Sequence, residues 1–131
     1  MYLLDTHILL WYLAADKRLS PEIKVILDQR ENLNLSIASL WEIAIKFNIG
    51  KLPADSNYHD ILEQIDFLRV NTLNLSRDDL IQYRNLPLNR DHRDPFDRIL
   101  IAQAINHSLT LVTADSKFRT YDLEDLKLYS G

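Results

Sequence analysis

An aspartate, Asp5, stands in the middle of the apolar stretch MYLLDTHILLWYL. Other acids follow far along the chain: Glu42 in SLWEIAIKF, Asp94 and Asp97 in DPFDRILIAQA, and Asp115 in LVTAD. Carboxylates gathered in one place repel, and their pKa values rise. A divalent cation removes that repulsion. Mg²⁺ or Mn²⁺ prefers oxygen ligands, keeps several waters, and is held by one or two carboxylates together with a substrate phosphate. Remaining acids bind through water or take a second ion. Water activated by such an ion is a nucleophile, and the ion stabilises charge on the phosphate, which is the chemistry of phosphodiester hydrolysis. That chemistry requires the fold to bring the acids together.

The elements that must do so alternate along the chain. MYLLD reads as a short buried strand, LNLS as a second, FLRVNTLNL as extended, LTLVTAD as a buried strand and LKLYS as a last one. Between them lie helical segments. HILLWYLAAD has helical length and spacing, and SPEIKVILDQRE opens with Ser20 as N-cap and Pro21 at the first helical position. SIASLWEIAIKFNIG ends at Gly50 as C-terminal cap. DSNYHDILEQI and SRDDLIQYRNL are helical, the latter capped by Ser76, and DPFDRILIAQAINHS carries the strongest helical pattern. Such alternation predicts an α/β fold: a three-layer α/β/α sandwich with a mostly parallel central sheet, formed by residues 1–131 as one domain. Right-handed crossovers align the strand C-termini along one edge, where ligands bind. Asp5 and Asp115 fall at strand C-termini, while Glu42, Asp94 and Asp97 fall in first turns of helices facing that edge.

Each acid also has a purely structural reading. Asp5 can cap the helix after it. Glu42 completes a Ser-x-x-Glu capping box with Ser39 and stands four residues before Lys46, an ion-pair spacing. Asp94 before Pro95 is a good N-cap, Asp97 suits the helix dipole, and Asp115 can cap the turn before SKF. Asp97, however, shares its helix face with Leu100, Ile101, Ala104 and Ile105, where an unpaired carboxylate is costly. The conjunction of acids from four separated segments favours a common site.

Composition narrows the alternatives. With no cysteine, thiolate metal sites and disulfides are excluded, and a reducing cytoplasm is expected. A net charge of -4 argues against holding nucleic acid by bulk electrostatics alone. Two glycines are too few for a P-loop or a dinucleotide fingerprint. No apolar run suits a membrane span, and no signal-peptide pattern precedes the first strand.

LLDTHILLWYL, LSIASLWEIAIKFNIGKL, DPFDRILIAQA and LVTAD together resemble a PIN domain and, more narrowly, the bacterial VapC-type toxins of toxin–antitoxin pairs. The four blocks run in the family's order from the start of the chain to about Phe118. The resemblance implies a Mg²⁺-dependent endoribonuclease, with Mn²⁺ able to substitute. It implies a ligand quartet falling on Asp5, Glu42, Asp97 and Asp115. It also implies a homodimer and a small antitoxin partner.

Around that quartet, Asp94 reads as a cap or a supporting acid behind Asp97. Thr6, Thr113 and Ser39 can orient carboxylates by hydrogen bonding. Arg90, Arg93, Arg98 and Lys117, with Lys46 and Lys51, can meet an RNA backbone or form ordinary solvated surface. His7 and His92 lie near the acids without zinc-site spacing; a general-base role is a weak alternative. Trp11, Tyr12 and Trp41 fall on apolar helix faces, which suits core packing or a dimer contact. Two other functions fit the residues less well. An aspartyl-phosphate phosphatase needs Asp-x-Asp after the first strand, where this chain reads DTH. A binding module with a degraded site does not need all four acids.

Overall fold

The computed structural model describes residues 1–52 and 57–131. Its elements run β1 (Tyr2–Leu4), α1 (Thr6–Leu13), α2 (Pro21–Asp28), β2 (Leu33–Ser36), α3 (Ile37–Asn48), α4 (Tyr58–Phe67), β3 (Asn71–Leu73), α5 (Arg77–Asn85), α6 (Pro95–Asn106), β4 (Thr110–Val112), a 3₁₀ turn (Ser116–Thr120) and β5 (Lys127–Tyr129). The strands form one sheet in the order β3-β2-β1-β4-β5. Every pairing is parallel. The α/β sandwich expected from the sequence is therefore present, and its sheet is parallel throughout. No helix among the described residues is long and apolar enough to cross a membrane.

Alternate residues of each strand feed two cores. Leu3 and Leu111 pack on one face with Leu100, Ile101 and Ala104 of α6. Leu4 and Val112 pack on the other with Ile8 and Leu9 of α1, Ile23 and Leu27 of α2, and Ile43 of α3. Burial on both faces is what makes these strands read as continuous apolar runs.

Several helix ends match their sequence signals. Ser20 accepts from Ile23 N, and Ser76 and Asp79 form a reciprocal capping box. Gly50 follows α3 at φ 71°, the left-handed region glycine enters freely. Ala15, Arg30, Arg69 and Ser108 take the same conformation just after α1, α2, α4 and α6 without glycine's freedom. The extended reading of FLRVNTLNL is shortened, because α4 runs through Phe67 and only Asn71–Leu73 pair as strand. Asp55 and Ser56, which open the helical segment DSNYHDILEQI, lie outside the described residues.

One buried carboxylate ties α5 to α6. Asp79 Oδ1 receives Asn106 Nδ2 at 2.8 Å and lies 2.9 Å from His107 Nε2. Its Oδ2 receives Gln103 Nε2 at 3.1 Å and Ser76 N at 3.0 Å. Burial works to raise its pKa, but the bonds from Asn106, Ser76, Gln103 and His107 outweigh it and hold the carboxyl below its ordinary value. Asp79→Ala should cost about 3 kcal/mol in urea unfolding, because it removes the clamp and takes an acceptor from the buried Gln103 amide. The depressed pKa fixes the sign of the pH effect. The stabilisation is present above the unfolded-state carboxylate pKa and fades as pH falls through the folded value, so wild type and variant should converge in strong acid.

Candidate active site

The strand order turns back on itself at β1: β2 and β3 extend the sheet to one side, β4 and β5 to the other. In a parallel α/β sheet the crevice beyond the strand C-termini at such a switch point is the binding position. Leu4 pairs with Val112 in the last register position, so Asp5 and Thr113 leave the sheet side by side. Asp5 N donates to Val112 O at 2.9 Å. Asp5 occupies the N-cap position of α1, yet its side chain makes no capping bond. Its Oδ2 instead accepts from Thr113 Oγ1 at 2.8 Å. Thr113 Oγ1 in turn accepts from Asp115 N at 3.1 Å. Asp5 is 2% exposed, and its Oδ1 has no hydrogen-bond partner among the described residues.

Two helices bring further acids. Glu42 lies in α3, with Lys46 Nζ 3.8 Å away, the i, i+4 pair that the spacing predicts. Asp94 caps α6, accepting from Phe96 N at 2.8 Å and Asp97 N at 3.2 Å. Asp97 follows in the first turn, mostly buried, its Oδ2 2.9 Å from His92 Nε2. Asp115 is exposed and caps the 3₁₀ turn, accepting from Lys117 N at 2.9 Å. Its expected capping role is therefore present, and it does not preclude a ligand role for the free oxygen.

Electrostatics bind these groups into one site. Burial raises the Asp5 pKa; the Thr113 bond and the nearby His7 lower it, while the charges of Glu42 and Asp115 raise it further, and the net shift is upward. Burial likewise lifts Asp97 to about 6, against the His92 bond and with the charges of Asp5 and Asp94. Asp5 thus senses Glu42 and Asp115, and Asp97 senses Asp5. Asp5 is the acid common to both sets of charges.

Among the described residues, no three carboxylate or imidazole groups already stand in an ion-ligating arrangement. The oxygen-only donor set, with a buried and unpartnered Asp5 Oδ1, suits a hydrated Mg²⁺ contacting one or two carboxylates directly. It does not suit an ion that needs a dehydrated protein cage.

The structure corrects several sequence expectations. Ser39 is not the α3 cap: β2 passes into α3 without a linker, and Ser36 at the junction accepts from Ala38 N at 3.1 Å. Glu42 accordingly sits one turn deeper than the first turn. Ser39 is buried and receives Thr6 Oγ1 at 2.8 Å, so these two residues fasten α1 to α3 rather than holding a carboxylate directly. Arg98 is removed from any RNA face. It is 7% exposed, donates from Nη1 to Pro87 O at 3.1 Å and to Tyr121 Oη at 2.6 Å, and lies over the Tyr83 and Tyr121 rings. Trp41 is 64% exposed and meets Phe96 edge-on at 5.1 Å, so core packing is not its role. Trp11 and Tyr12 do pack against the α1-side core. His92 is the residue whose contact with the site the sequence reading missed; only its place five positions before Asp97 hints at it.

The PIN domain family model matches residues 2–123. The chain belongs to the PIN domain family. No curated protein matches it in sequence. Among solved structures, this PIN domain is similar to VapBC2 from Rickettsia felis bound to a promoter DNA fragment, with TM-score 0.71, 20% identity, 98% of this chain and 96% of that chain covered. It is also similar to a toxin–antitoxin complex from Klebsiella pneumoniae, with TM-score 0.67, 23% identity, and 99% and 97% covered. A third is FitAcB from Neisseria gonorrhoeae, with TM-score 0.67, 20% identity, and 99% and 97% covered. At these identities the likeness establishes a shared fold.

The raised pKa of Asp97 gives a signed prediction for metal-free protein. Its stabilising protonated form is fully present below the unfolded carboxylate pKa and lost as pH rises through about 6. Asp97→Asn should therefore raise the melting temperature at pH 7.5 by roughly 3–5 °C, a shift discounted for the partial exposure of the group. The gain should vanish near pH 4. A scanning calorimetry series across that range checks it, and an equal gain at both ends would contradict it.

Proposed function

We propose that this PIN domain is a Mg²⁺-dependent endoribonuclease and the toxin of a type II toxin–antitoxin pair. The observation that carries the reading is the buried Asp5 carboxylate, half satisfied by Thr113 and surrounded by repelling acids. Asp5 and Asp97 are the direct ligands that burial and geometry favour, with Glu42 and Asp115 completing the set directly or through water. When bound, such an ion supplies Lewis acidity toward a phosphodiester and a lowered pKa for an attacking water.

The chain's own residues set up that chemistry. Thr113 fixes one Asp5 oxygen and leaves the other facing no protein partner. Asp94 satisfies the first α6 amides, which holds Asp97 at the helix start. Exposed Arg90 and Arg93 precede Asp97, and exposed Lys117 follows Asp115, so cations flank the acids on two sides and suit an RNA backbone. Lys46 is engaged with Glu42 and contributes less. The absence of cysteine supports work in the cytoplasm, where RNA is the substrate at hand.

Two surfaces support the expected partners. The similar structures include toxin–antitoxin complexes, which favours a small antitoxin here. A groove of about 680 Å³ beside α1 and α4, lined by Leu10, Trp11, Leu52 and Ile61, also has His7 and Lys46 on its wall and so approaches the acids. It offers an antitoxin segment an apolar seat next to the site. Ile37, Trp41 and Ile45 of α3, with Ile49 at its C-cap, repeat every fourth residue and are 39%, 64%, 36% and 57% exposed. An apolar stripe of this kind favours a homodimer.

Cleavage of a mixed-sequence RNA by antitoxin-free protein, followed with Mg²⁺, Mn²⁺ or EDTA, tests the activity. We expect metal-dependent cleavage that falls at least roughly 100-fold in Asp5→Asn and Asp97→Asn, as loss of a main electrostatic group does. Undiminished cleavage in EDTA, or in either variant, would sink the reading. For the dimer, light scattering should give twice the chain mass for wild type and a monomer for Ile45→Lys. A variant that stays dimeric at equal concentration places the interface elsewhere.

A further inference from the structure

His92 is 2% exposed, in the irregular segment between α5 and α6, and its Nε2 lies 2.9 Å from Asp97 Oδ2. An ionised carboxylate only accepts, so Nε2 is the donor in this contact. Nδ1 is buried and has no partner among the described residues. Among the described residues, the ring's hydrogen bond is therefore the one to Asp97. Its position is fixed by packing: Phe118 stands edge-on at 4.8 Å and Tyr121 at 5.3 Å. Its backbone is fixed as well. Tyr121 Oη donates to His92 O at 3.0 Å and accepts from Arg98 Nη1 at 2.6 Å. Arg98 directly follows Asp97 in α6. The turn from His92 to Arg98 is thus closed twice, once through the His92–Asp97 side chains and once through Tyr121. A carboxylate in such a frame has one oxygen tethered, while Asp97 Oδ1 makes no hydrogen bond among the described residues.

We infer that His92 is a positioning residue for the metal site: it pins Oδ2 of Asp97 and so presents Oδ1 to a divalent ion. The inference rests on the reading of Asp97 as a ligand. It goes beyond that reading because it assigns His92 the selection of the ligating oxygen, with Tyr121 and Arg98 as its support. Groups that hold a ligating carboxylate in place are typically worth 10- to 100-fold in metal affinity.

The test separates the hydrogen bond from the packing. His92→Phe keeps an aromatic ring against Phe118 and Tyr121 but has no donor. His92→Gln keeps an N–H within reach of Asp97 but loses the ring. Mn²⁺ binding to the apoprotein, read from the free-ion EPR signal, is measured beside the melting temperature for wild type, both variants and Asp97→Asn. We expect His92→Phe to stay folded and bind Mn²⁺ roughly 10-fold more weakly. His92→Gln should melt lower yet hold Mn²⁺ close to wild-type affinity. Wild-type Mn²⁺ affinity in His92→Phe would overturn the inference while leaving Asp97 a ligand. So would a folded His92→Gln that binds as weakly as Asp97→Asn. Wild-type protein that binds no Mn²⁺, or that binds it equally well as Asp97→Asn, would overturn the reading of the site and the role of His92 with it.

Discussion

The hydrogen bond from Thr113 to Asp5 is the constraint on which the rest of the site depends. It joins the ends of the two central strands at the point where the sheet reverses direction. Burying a carboxylate there is expensive. The hydroxyl offsets part of that cost, and burial still holds the Asp5 pKa above its ordinary value. The surrounding acids add to the strain rather than relieving it. One oxygen of this buried carboxylate is left without a protein partner among the described residues.

Comparison with Asp79 shows why this matters. Both aspartates are essentially inaccessible. Asp79 has partners on both oxygens, with its pKa lowered, and its role is to clamp α5 to α6. Asp5 has a partner on one oxygen, with its pKa raised. Asp97 repeats the second pattern, with a histidine on one oxygen and the other uncommitted. Burial alone does not distinguish a structural acid from a functional one. These acids differ instead in how many oxygens find partners and in the direction of the pKa shift.

Local chemistry was legible in the sequence wherever the partner was near in the chain. Ser20, Ser76, Asp94 and Gly50 terminate helices as their neighbours dictate, and the apolar runs mark the buried strands. Asp5 and Asp97 fall at a strand end and a helix start as expected, whereas Glu42 lies beyond the first turn of α3. What could not be read was set by distant partners or by competing local matches. Ser36 and Ser39 both suit a cap, and only the direct passage of β2 into α3 decides between them. Arg98 looks like a surface cation until Tyr83 and Tyr121 enclose it. The network around Asp79 joins residues 24 to 28 positions apart, beyond any helical periodicity. Four helices end in left-handed residues other than glycine, so their stops carry no glycine signal.

The Thr113–Asp5 bond spans 108 positions of the chain. During synthesis Asp5 therefore precedes its hydroxyl partner by 108 residues. A nascent chain that ends before β4 has β2 beside β1 but no strand on the other side of β1 and no hydroxyl for Asp5. Such distant pairing also closes late in folding, because the long loop must be ordered before the contact rewards it. The surroundings of Asp5 are thereby completed only after β4 and Thr113 have been made, long after β1 itself.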